Sequence, residues 1–95
     1  MKRESIQDAI KRITHMERCF DILEEAMRGH PAALHEDERL KALLLSLTQY
    51  YEGGQWLWDY ELDEKGLLPQ ELKRGVLAQD AVYDLLERIK QIDYA

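Results

Sequence analysis

Long apolar runs are missing from this sequence. The longest near its centre, Ala42-Leu43-Leu44-Leu45, is four residues, far short of the roughly 20 that a membrane-spanning helix requires. No transmembrane segment is expected. Cysteine is nearly absent: Cys19 stands alone, which excludes an intramolecular disulfide and the secreted disulfide-scaffold class. The opening Met1-Lys2-Arg3-Glu4-Ser5 leads into an amphipathic pattern with acids at Asp8 and Glu17, not into the apolar block of a secretory signal. A cytoplasmic protein is expected. Two prolines and five glycines are too few breakers for a turn-rich β-sandwich. Basic charge is scarce as well, with 13 Lys and Arg against 19 Asp and Glu. The net charge of −6 arises between residues 36 and 72, and it disfavours phosphate backbones and anionic membrane surfaces while suiting a cationic partner.

What remains is charged and apolar residues in helical register. Ile6, Ala9, Ile13, Met16, Phe20, Leu23 and Met27 recur at steps of three and four, which places them on one stripe of a helix. Ser5 with Asp8 makes a capping box and Gly29 with Pro31 a stop, so the spacing predicts a helix over 5–28. Asp8 with Arg12, and Glu24 with Arg28, have the spacing of supporting ion pairs on that helix. A second helix is predicted from Pro31 to Gly53, with Leu40, Leu43, Leu44, Leu47, Tyr50 and Tyr51 on its apolar face. The short connection makes the two an antiparallel hairpin. The Trp56–Glu64 stretch alternates like a strand, but no second strand exists to pair with it and its acids are poor strand formers, so a short helix is expected. A single helical turn over 69–73 and a last amphipathic helix from Leu77 to Ile92 complete the plan. The expected fold is all-α, an antiparallel helical hairpin plus a C-terminal helix forming a three-helix bundle with short helices in the linker. Residues 1–95 are expected to form a single helical domain.

Two blocks carry a family resemblance. The first is Tyr50-Tyr51 with Trp56, Asp59, Tyr60, Glu61, Asp63, Glu64, Gly66 and Pro69; the second runs Leu72, Lys73, Arg74, Gly75, Val76, Leu77, Asp80, Ala81, Val82, Tyr83, Leu85 and Leu86. From Tyr50 to Leu86 the sequence resembles a family of small bacterial proteins known as domain of unknown function 4298. The resemblance implies the fold and assigns no activity. Ala78 stands where the resemblance leads one to expect a serine capping the last helix, with Asp80 as a partial substitute, and Trp58 replaces a usually charged residue.

The chemistry-bearing motifs each fall short. Asp59, Glu61 and Asp63 begin like a calcium loop, but its sixth and twelfth positions are Glu64 and Gln70 instead of Gly and Glu, so a solvated acidic face is expected. His15 and Cys19 sit four apart without a second ligand pair. His35-Glu36 does not continue to a zinc-protease motif, because position 39 is Arg. Ser5 and Ser46 lack a nucleophile-elbow setting, and Gly53-Gly54 lacks the Lys-Ser/Thr of a phosphate loop. Arg74 is expected to pair with Asp63 or Asp80, and Gly75 to supply a left-handed residue. No metal, cofactor or catalytic set is assigned. The leading functional expectation is a protein-protein interaction or adaptor module, with Trp56, Trp58, Asp59, Tyr60, Glu61, Asp63, Arg74, Asp80 and Tyr83 as candidate surface and a cationic protein, or a second copy as a homodimer, as partner. The alternatives are a ligand- or metal-binding protein or enzyme with an acidic pocket near Trp56, Asp63 and Arg74, and an acidic nucleic-acid mimic.

Overall fold

The capping box at Ser5 is formed: Ser5 Oγ accepts from the Asp8 N–H at 3.1 Å and the Ser5 N–H donates to Asp8 Oδ2 at 3.5 Å. It opens α1, Ile6–Gly29. The computed structural model describes residues 5–78 and 80–92. After α1 come α2 (Ala33–Glu36), α3 (Glu38–Glu52), α4 (Gln55–Glu64), a 3-10 turn at Gly75–Leu77 and α5 (Ala81–Lys90), with no strand among the described residues. The all-α bundle expected from the periodicity is what forms.

Alpha-helical register explains most of the packing. Ala9, Ile13, Phe20 and Leu23 on the α1 stripe are buried inside this one chain. Ile13, Phe20 and Leu23 meet Leu47 and Tyr50 of α3, Val76 and Leu77 of the 3-10 turn, and Val82, Leu85 and Ile89 of α5 in one apolar cluster. The helices form a slab with principal extents of 44 × 27 × 18 Å.

Three boundaries depart from expectation. The second helix is broken at Asp37, whose backbone is extended (φ −85°, ψ 123°) and whose carboxylate accepts from the Arg39 and Leu40 N–H groups at 2.8 and 3.2 Å. Asp37 is thus an N-cap that restarts the helix as α3, and α2 is left as a single turn burying Leu34. The predicted helical turn over 69–73 is a simple turn closed by Leu72 N–H on Pro69 O at 3.2 Å. The last helix begins at Ala81 and not Leu77, because Asp80 takes a left-handed conformation (φ 71°) at its N-cap, without a side-chain capping bond. The alanine-for-serine departure at residue 78 therefore lies outside the cap position itself.

The exit of α4 is set by glycine. Gly66 has φ 72°, and the N–H groups of Leu67 and Gly66 reach Leu62 O and Asp63 O at 3.1 and 3.0 Å. These are the two bonds of a Schellman motif, for which a residue with no Cβ at positive φ is the usual solution. Gly75, by contrast, is not left-handed. A Cβ there would stand 3.1 Å from Glu17 Oε2, so what a side chain at this position meets is the approach of Glu17 and not a turn.

Candidate functional site

Helix α4 divides its side chains by register: Trp56, Asp59, Tyr60 and Asp63 turn inward, whereas Leu57, Trp58, Glu61 and Glu64 are exposed. The largest correction to the sequence-based surface concerns Asp59, which is completely buried. Its Oδ2 accepts from the Tyr50 hydroxyl at 2.7 Å and from Arg12 Nε at 2.9 Å, and its Oδ1 accepts from Arg12 Nη2. Arg12 therefore reaches across from α1 in the two-pronged geometry that matches a carboxylate. A buried carboxylate is tolerated only when paired and hydrogen-bonded, and three donors from two other helices meet that condition. Asp59 belongs to the interior and cannot contact a partner directly.

The tyrosine in this triad is locked in its neutral form. Burial first, then the hydrogen bond to Asp59 and the charge of that carboxylate, push the Tyr50 hydroxyl well above its ordinary value, with Arg12 opposing. A folded-state pKa raised above the unfolded one means that the native state keeps a proton the unfolded state loses. Stability from this source is intact below about pH 10 and falls as pH rises beyond it. Urea midpoints taken from pH 8 to 11 should fall more steeply for the parent protein than for Tyr50→Phe; superimposable pH profiles would contradict the assignment.

The other inward residues are also consumed by internal contacts. The Trp56 ring stacks on Tyr60 (5.1 Å between centroids, 15°) and takes Tyr51 edge-on at 5.2 Å, while its Nε1 donates to Val76 O at 2.9 Å. Asp63 pairs with Arg74, as expected, and Arg74 also donates to Leu72 O at 3.1 Å and to Pro69 O. The guanidinium thus pins the 66–74 loop to the end of α4. Trp56, Asp63 and Arg74, named above as an acidic pocket, spend their polar atoms on one another's surroundings. Asp80 and Tyr83 are exposed at the start of α5.

Glu17 and Arg12 are polar residues whose roles the sequence pattern did not reveal. Glu17 is buried and its Oε1 accepts from the Val76 N–H at 2.8 Å. Both chain groups of Val76 are thereby held, one by α1 and one by α4. The available signal was the position of Glu17, four residues after Ile13 and three before Phe20 on the buried stripe. His15 Nε2 lies 3.7 Å from Cys19 Sγ. Burial raises the Cys19 thiol pKa, against smaller lowering contributions from Arg18 and a backbone hydrogen bond, the opposite of what an activated nucleophile requires. Among the described residues no group of three or more His, Cys, Asp or Glu side chains is placed to hold a metal ion, and no helix is long and apolar enough to cross a membrane.

These features define a small all-α protein whose buried carboxylates, Glu17 and Asp59, fasten its elements to one another. The chain belongs to the family described as Domain of unknown function (DUF4298), whose model matches residues 13–94. The match extends the resemblance read from Tyr50 to Leu86 back through α1 to Ile13, a span that includes Glu17 and begins one residue after Arg12. No curated protein and no solved structure matches the chain.

Proposed function

We propose that this protein is an interaction module that binds a cationic protein partner through the outer face of α4. The observation carrying this reading is that Trp58 and Leu57 are 51% and 53% exposed on a helix whose other aromatics are packed inward. Large apolar side chains at the surface, flanked here by exposed Glu61 and Glu64, are the composition of a binding patch with an acidic rim. Tryptophan is the residue type most enriched at hot spots. A second copy of the chain is a poorer occupant, since each copy carries −6 and like charges would face each other. The nucleic-acid mimic is disfavoured for a related reason: Asp59 and Asp63, two of its acids, are paired with arginines of this chain, Asp59 in the interior.

The test is the double variant Trp58→Ser, Glu61→Lys, both exposed positions that should leave the circular dichroism spectrum and melting temperature unchanged. Losing a hot-spot tryptophan costs about 2 kcal/mol or more, roughly a 30-fold weaker affinity for the captured partner. Equal affinity of the parent and the double variant for every partner recovered would refute the α4 face.

A further inference from the structure

A second feature lies away from the outer face of α4. Between α1 and the turn at 69–73 runs an open groove of about 490 Å³, within the size range of small-molecule sites. Ile10 and Leu72 give it apolar walls. Glu17 also lines it and is only 7% exposed. One of its oxygens, Oε1, is occupied by the Val76 N–H at 2.8 Å. The other, Oε2, makes no hydrogen bond to any described residue and stands beside the Gly75 backbone, where a Cβ would be 3.1 Å away.

That arrangement offers more than anchoring requires. Holding the Val76 N–H takes one acceptor, which a glutamine carbonyl would provide equally well. A carboxylate adds a second acceptor and a charge, in a nearly buried position where an uncompensated charge is costly. The charges around the groove do not offset it: Arg18 and Lys73 are matched by Asp21 and Glu71, with Lys73 Nζ 3.5 Å from Asp21 Oδ2. The lining charges thus balance in sign, and Glu17 decides the sign of what fits.

We infer that this groove binds a small organic cation, a primary ammonium group on an apolar stem, with Glu17 Oε2 accepting from the ammonium and the stem lying against Ile10 and Leu72. The site is separate from the proposed protein-binding face, and Trp58→Ser leaves it intact.

The probe is hexylammonium chloride, titrated into the full chain and followed by amide chemical shifts, with 1-hexanol as the neutral control of equal stem length. Saturable shifts at Thr14, Leu72 and Val76 are expected for the amine, with hexanol at least ten-fold weaker. Glu17→Gln keeps an acceptor for Val76 and should bring the amine down to the affinity of the alcohol. Equal binding of amine and alcohol, saturation elsewhere on the chain, absence of saturation, or full amine affinity in Glu17→Gln each overturns the inference. Should Glu17→Gln fail to fold, Thr14→Trp serves in its place: Thr14 is exposed, its hydroxyl bonds among the described residues to Ile10 O of its own helix, and an indole there fills the groove mouth. Amine binding undiminished in Thr14→Trp likewise overturns the assignment.

Discussion

Asp59→Ala should lower the free energy of unfolding by about 3–5 kcal/mol, the usual consequence of removing one partner from a buried ion pair. The size follows from what is left behind. The Arg12 guanidinium, on a side chain 13% exposed, loses its two bonds to this carboxylate, and the Tyr50 hydroxyl loses its acceptor in a place water does not reach. For a protein of this length a loss of that size approaches the whole stability. Urea denaturation at pH 7 measures it. Asp59→Asn, which keeps one acceptor oxygen but no charge, should fall between the parent and the alanine variant. Tyr50→Phe should cost about 1 kcal/mol, and combining it with Asp59→Ala should cost less than the sum, because both variants remove the same hydrogen bond. A loss under 1 kcal/mol for Asp59→Ala would mean that the carboxylate is solvated, and the internal triad would have to be abandoned.

How much of this was legible beforehand differs from element to element. The α1 stripe and its capping box could be read directly, because each depends on residues within a few positions of one another. The Asp37 break was present in the sequence as an acid ahead of Glu38, Arg39 and Leu40, but the longer apolar face of the second helix masked it. Asp59 was misread for a deeper reason. Flanked by Trp58 and Tyr60, in a run with Glu61 and Asp63, it has the local pattern of a solvated face, and its partner Arg12 is 47 residues away. Local spacing matched Arg12 with Asp8 instead. No local periodicity reports a pairing between α1 and α4; only the tertiary approach of the helices creates it. Gly75 shows the same limit, since what a Cβ there would meet is Glu17 on α1, far off in sequence.

The buried contacts of α4 also bear on its exposed face. A helix of ten residues gains little stability by itself, so its orientation is set by Asp59 on Arg12 and Tyr50, by Asp63 on Arg74, and by Trp56 against Tyr51, Tyr60 and Val76. Leu57 and Trp58 are held outward by what their neighbours do inward. Substitutions at Arg12 or Tyr50 are therefore expected to weaken partner capture only to the extent that they unfold the chain, whereas those at Trp58 weaken it in a folded protein. The two classes separate in a plot of affinity against melting temperature.

Trp56→Ala should be the second most damaging change outside the apolar core, with a loss of about 3–5 kcal/mol. Three contributions combine: the buried part of the indole, its contacts with two tyrosine rings, worth about 0.5–1.5 kcal/mol each beyond area, and the bond from Nε1 to the carbonyl of fully buried Val76. Trp56→Phe isolates the last of these. It keeps an aromatic ring for Tyr51 and Tyr60 but leaves the Val76 carbonyl without its side-chain donor, and should cost about 1–3 kcal/mol. The 3-10 turn at Gly75–Leu77 is then held through Val76 by Glu17 alone, and its amide protons should exchange faster than those of α1. Fluorescence checks the assignment independently. In Trp56→Phe the remaining emission comes from exposed Trp58 and should shift little on unfolding, whereas in Trp58→Ser the emission of Trp56 should move clearly to the red. The reverse pattern would exchange the two indoles, placing Trp58 in the core and Trp56 at the surface, and would remove both the Val76 anchor and the proposed binding face together.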